Sequence, residues 1–121
     1  RKNLARVSVT PGRTQQINFF DLSSMIMLVD LPGYGYAKAS KKMLNHWNKL
    51  ILDYLEKRIQ LKKVFVLIDA RRGILEKDED IFKILDNFGQ SYQIVLTKAD
   101  KVKDHEISNI IDDLEKKSYL F

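Results

Sequence analysis

Apolar positions along the chain change their period from segment to segment, and each period predicts an element. Between about residues 40 and 59, Met43, Trp47, Leu50, Ile51, Tyr54 and Leu55 keep the three-and-four spacing of one buried helical face. The same spacing returns at Ile81, Ile84, Leu85 and Phe88, within 78–88, and Gly89 follows as a residue that tolerates a left-handed stop. Ile107, Ile110, Ile111 and Leu114 predict a last helix that fades near Lys117 and Ser118.

Continuous short apolar runs at 64–68 and 92–96 predict parallel strands covered by helices on both faces. Two further runs, 17–22 and 25–29, are separated only by Ser23 and Ser24, which predicts an antiparallel hairpin despite an unusual turn pair. Hairpin, helix, strand, helix, strand, helix is the alternation of an α/β fold, a mostly parallel sheet flanked by helices. Ligands in such sheets bind beyond the carboxyl ends of the strands.

Composition narrows this without changing it. The 121 residues suit one domain, 45% hydrophobic and 31% charged, with no apolar stretch long enough to span a bilayer. There is no Cys, as suits a reducing cytosol. The net charge of +5 is spread along the chain. Lys41-Lys42, Lys62-Lys63 and Lys116-Lys117 read first as solvated helix ends and second as contacts to a phosphate-bearing partner such as RNA. The start at Arg1, with neither an initiator Met nor a signal-peptide pattern, reads as a cut from something longer.

The polar motifs lie at the predicted strand ends. Asp30 follows the apolar run 25–29 and opens Asp30-Leu31-Pro32-Gly33. A carboxylate there can hold a hydrated magnesium ion when phosphates supply the other ligands, and Gly33, lacking a Cβ, lets its N–H approach a phosphate. The plain alternative is a turn after a strand. Thr97-Lys98-Ala99-Asp100 follows the run 92–96. A carboxylate beside a purine accepts from both N1–H and the 2-amino group of guanine, a donor pair that adenine lacks, and a lysine stem can lie along the ring face. The alternative is a helix-start loop capped by Asp100.

Thr10-Pro11-Gly12-Arg13-Thr14-Gln15 is a polar loop whose hydroxyl suits a metal or a cap. Trp47 reads as packing, His46 and His105 as surface residues without metal-ligand company, and Arg71-Arg72 as a solvated loop start or a contact to a phosphate-bearing partner. Tyr34 and Tyr36 read as packing or as RNA-stacking aromatics.

Three runs together, Thr10-Pro11-Gly12-Arg13-Thr14-Gln15-Gln16-Ile17-Asn18-Phe19-Phe20, Asp30-Leu31-Pro32-Gly33-Tyr34-Gly35-Tyr36-Ala37 and Thr97-Lys98-Ala99-Asp100, resemble the EngB (YihA/YsxC) GTPases over essentially the whole chain. The resemblance implies a Ras-like P-loop GTPase fold that binds GTP or GDP with Mg2+. It also implies a role in large ribosomal subunit assembly, in the bacterial cytosol or an organelle matrix, with a linked requirement in cell division and septation. It implies no DNA or membrane partner.

Carried over by position, Gly12, Arg13, Thr14, Gln15 and Gln16 would form switch I, with Thr14 and Asp30 on magnesium. Asp30, Leu31, Pro32 and Gly33 would sense the γ-phosphate, and Thr97, Lys98, Ala99 and Asp100 would read guanine. Thr97 stands where most GTPases carry Asn, a replacement usual for this family.

Tyr34 occupies the position of the water-orienting Gln of Ras-type enzymes, which implies slow intrinsic hydrolysis helped by a partner or a monovalent cation. The G-x-x-x-x-G-K-[ST] pattern is absent from the chain. In this family it lies upstream of the segment that begins at Arg1, and a last base-contacting loop lies beyond the segment that ends at Phe121. On this reading the 121 residues form a partial domain lacking the central first strand and the last strand, inactive alone and prone to aggregate or fold in part. The competing reading is a truncated or degenerate RNA-binding module without nucleotide hydrolysis.

Overall fold

The structure, a computed structural model, describes residues 16–34, 41–117 and 119, with the backbone alone at 41–48. The elements are β1 (Asn18–Leu22), β2 (Ile26–Asp30), α1 (Lys41–Lys57), β3 (Val64–Asp69), α2 (Glu76–Asn87), β4 (Tyr92–Thr97), a 3-10 turn (Ala99–Lys101) and α3 (Asp104–Lys116). This is the predicted α/β order. Two compact units divide it, Arg1–Tyr54 and Leu55–Phe121. Among the described residues the strands form two separate ladders, an antiparallel β1–β2 and a parallel β3–β4.

In the first unit the hairpin register runs from Asn18 opposite Asp30 to Leu22 opposite Ile26. Ser23 and Ser24 both adopt positive φ, 55° and 56°, which matches the right-handed twist of the strands but suits neither residue type. Two hydrogen bonds hold the turn: Met25 N–H donates to the Leu22 carbonyl at 3.1 Å, and Ser24 N–H donates to Asp21 Oδ1 at 2.8 Å. Phe19 meets Tyr54 of α1 edge to face at 6.2 Å, and Ile51 of α1 is buried. Met25, Ile26, Met27 and Leu28 stay exposed, so this ladder presents apolar surface to water.

The second unit is built on β3 and β4, paired from Val64 with Tyr92 to Asp69 with Thr97. Phe82 of α2 stacks on Tyr92 at 5.7 Å with planes 6° apart, and it also meets Tyr119 at 4.9 Å. This places the core on the face shared by Tyr92, Ile94 and Val66. Phe82, Leu85 and Leu114 are fully buried, each worth about 1.5–3 kcal/mol by area removed from water.

The opposite face of β3 corrects the expectation of a strand covered on both sides. Phe65 and Leu67 are 56% and 62% exposed, while Val66 and Ile68 are buried, so β3 alternates in the manner of a sheet with one packed face.

Helix ends follow local chemistry. α1 stops at Lys57, short of the expected Ile59, and the Gln90 side-chain amide donates to the Leu55 carbonyl at 2.8 Å, satisfying an acceptor in its last turn. α2 begins earlier than periodicity predicted, at Glu76, because Asp78 accepts the Leu75 N–H at 2.8 Å. Glu106 does the same for Lys103 N–H at 2.8 Å, which starts α3 at Asp104. Gly89 adopts the left-handed conformation predicted for it, with φ 64°. Among the described residues, no helix is long and apolar enough to cross a membrane.

Candidate functional site

The parallel register sets the ends of β3 and β4 side by side, with Asp69 beside Thr97. Both strands run one residue further than their apolar runs predicted, so both polar residues belong to the ladder. Thr97 Oγ1 donates to the Ile68 carbonyl at 3.1 Å, and Ala70 N–H donates to the Thr97 carbonyl at 2.9 Å. The start of the Thr97-Lys98-Ala99-Asp100 motif is thereby fixed to the neighbouring strand.

At Lys98 the chain turns through the left-handed region, φ 56° and ψ 31°, into the 3-10 turn. A non-glycine residue there costs about 1 kcal/mol or more, a strain that clusters at functional sites. The turn is closed by Lys101 N–H donating to the Lys98 carbonyl at 3.0 Å. Asp100 does not cap α3, whose N-cap is Lys103. Its side chain is 71% exposed and meets Lys101 at 3.2 Å, an exposed ion pair worth little energy and easily exchanged for a ligand.

Sequence reasoning passed over Asp69. Its side chain, 15% exposed, receives Arg71 Nη2 on Oδ2 at 2.7 Å, Arg71 Nε on Oδ1 at 3.0 Å and the Arg71 N–H on Oδ1 at 3.1 Å. Lys98 Nζ donates to the same Oδ2 at 3.1 Å. The Arg71 guanidinium, followed by Lys98 and the Arg71 N–H, holds this carboxyl well below the usual carboxylate range against an opposing effect of burial. Asp69 in turn raises Arg71 further.

Arg71 and Arg72, read from sequence as one basic loop start, therefore separate. Arg71 folds back on Asp69, while Arg72 lines a groove with Ile110, Asp113 and Lys117 of the α3 region. The available signal was a carboxylate ending a buried strand with an arginine two positions later.

Of the magnesium and phosphate candidates, Asp30 is the last residue of β2 and is exposed; beyond it Pro32 is buried and Gly33 exposed. Leu31 is half-buried, and Gln16 lies exposed just before β1. Gly12, Arg13, Thr14 and Gln15 lie outside the described residues, as do Gly35, Tyr36 and the side chains of His46 and Trp47. Among the described residues no group of three or more His, Cys, Asp or Glu gathers as a metal cage. A lone exposed carboxylate at a strand end fits a magnesium ion that takes its other ligands from phosphates and water.

Comparison with known proteins bears on this chemistry. Residues 1–98 match the family model described as 50S ribosome-binding GTPase. The chain is 49% identical to the probable GTP-binding protein EngB of Chelativorans sp. (strain BNC1), covering 97% of this chain and 56% of that protein. It is 51% identical to the protein of the same name from Rhizobium meliloti (strain 1021), covering 95% of this chain and 58% of that one. The chain thus spans about half the length of the curated relatives it matches. It belongs to the 50S ribosome-binding GTPase family and, within it, to the EngB group.

Proposed function

We propose that the protein to which this chain belongs binds GTP and GDP with Mg2+ and acts as a slow GTPase in large ribosomal subunit assembly, with a linked requirement in cell division, in the cytosol. The observation that carries this reading is the turn after β4, where a strained Lys98 and an exposed Asp100 follow a threonine tied to β3. Asp100 accepts from N1–H and the 2-amino group of guanine, and the Lys98 stem lies against the ring. Thr97 and Ala99 supply the backbone of that turn.

Asp30, Leu31, Pro32 and Gly33 respond to the γ-phosphate, and Gly12, Arg13, Thr14, Gln15 and Gln16 make up switch I. Thr14 and Asp30 would hold the magnesium ion, which neutralises charge on the phosphates when bound. Tyr34, a phenol, cannot orient an attacking water as an amide does, so turnover depends on help from a ribosomal partner or a monovalent cation.

Titrating the complete protein with a fluorescent GDP analogue tests the reading. Binding is expected, and Asp100→Ala should weaken it by about tenfold or more, the cost of leaving two donors of the base unpaired. Equal affinity of wild type and variant would overturn the assignment of Asp100.

A further inference from the structure

We infer that Asp69, clamped by Arg71, is a positioning residue for Lys98: its carboxylate anchors the lysine ammonium so that the stem is laid out for the base before nucleotide arrives. The inference rests on the reading of Thr97 to Asp100 as the guanine-reading turn and adds to it a residue outside that motif.

The geometry is specific. Arg71 donates to both Asp69 oxygens, with its Nε on Oδ1 and its Nη2 on Oδ2, and its own N–H adds a second bond to Oδ1. A two-pronged guanidinium contact fixes the plane of a carboxylate as well as its charge. The orientation of Oδ2, and with it the place where Lys98 Nζ comes to rest, is therefore set by Arg71.

Lys98 is held at its tip. Its side chain remains 54% exposed although Nζ is 3.1 Å from Asp69 Oδ2. A tethered head with an open stem is what stacking on a flat ring requires. An untethered lysine would have to give up its rotamer freedom on binding, whereas here that freedom is spent on folding. The left-handed backbone at Lys98 and the Thr97 bond to β3 fix the other end of the same side chain.

A double-mutant cycle on the complete protein tests this, with dissociation constants for GDP and inosine diphosphate as readouts. Asp69→Ala should weaken both nucleotides by the same factor, about three- to tenfold, because stacking is indifferent to the 2-amino group. Asp100→Ala should instead erase the preference for GDP over inosine diphosphate. In a Lys98→Ala background, Asp69→Ala should cost nothing more, since its effect passes through Lys98.

Arg71→Lys, which keeps charge but loses the two-pronged contact, should reproduce part of the loss and serves if Asp69→Ala does not fold. Losses that multiply in the double variant, or an Arg71→Lys protein with wild-type affinity, overturn the inference while leaving the site reading intact. A wild-type protein that binds no GDP overturns the site reading itself, and the inference with it.

Discussion

The Thr97 hydroxyl donates to the Ile68 carbonyl at 3.1 Å, a side-chain bond laid across the end of the parallel β3–β4 ladder. Thr97→Val preserves shape and removes the donor. A loss of about 1 kcal/mol is expected, visible as a lower melting temperature of the complete protein, together with weaker GDP binding. An unchanged melt and unchanged affinity would show that the ladder alone holds the turn.

Replacing Asp100 by Asn should exchange one purine for another. Xanthine carries a carbonyl where guanine has its 2-amino group, so an amide donor suits it and a carboxylate does not. Competition binding should show Asp100→Asn preferring xanthosine diphosphate over GDP, the reverse of wild type. Retained GDP preference in the variant would count against base reading by this side chain.

The hairpin turn can be improved. Ser23 and Ser24 occupy positive φ, a region that Asn and Gly adopt at lower cost. Changing the pair to Asn-Gly should stabilise the hairpin by about 1 kcal/mol, as relief of left-handed strain at two residues outweighs the chain entropy that glycine adds, measured as a raised melting temperature. A neutral or destabilising result would mean that the Ser24 N–H bond to Asp21 already offsets the strain.

Strong acid should release the Asp69 clamp, after carboxylates of ordinary acidity have taken up their protons. Its folded-state carboxyl lies below the ordinary value of about 3.9, so its stabilising contribution is complete above that value and disappears as pH falls through the lower, folded one. The difference in melting temperature between wild type and Asp69→Asn should be constant between about pH 5 and 8 and shrink toward more acid conditions. A difference that grows with acidification would contradict the clamp.

The 121 residues alone should not behave as a well-folded domain. Phe65 and Leu67 on β3, and Met25 to Leu28 on the hairpin, lie open to water, and exposed apolar strands associate with one another. Light scattering should rise with concentration. A cooperative melt whose transitions coincide by different probes would disprove this expectation.

Most of this architecture was legible in the apolar period, because Ile81, Ile84 and Leu85, or Val64 to Ile68, announce helix and strand whatever surrounds them. Boundaries were less legible. They depend on single hydrogen bonds, such as the one from Leu75 N–H to Asp78, which periodicity does not encode. The open face of β3 was misread because an apolar run looks the same whether one side is covered or both. Thr97 to Asp100 stood out by its position after a strand, but the pairing of Asp69 with Lys98 did not. It joins residues 29 positions apart, and only the register of the ladder brings them together.

With Thr97 to Asp100 reading the base as proposed, that separation would tie recognition to folding. Every residue between Asp69 and Lys98 belongs to one crossover, through α2 and back along β4, so the contact closes only when the crossover is docked. Phe82, at the centre of that docking, would then act on the nucleotide at a distance: loosening it changes how often the turn is assembled, and a ligand that needs the assembled turn binds in proportion to that population.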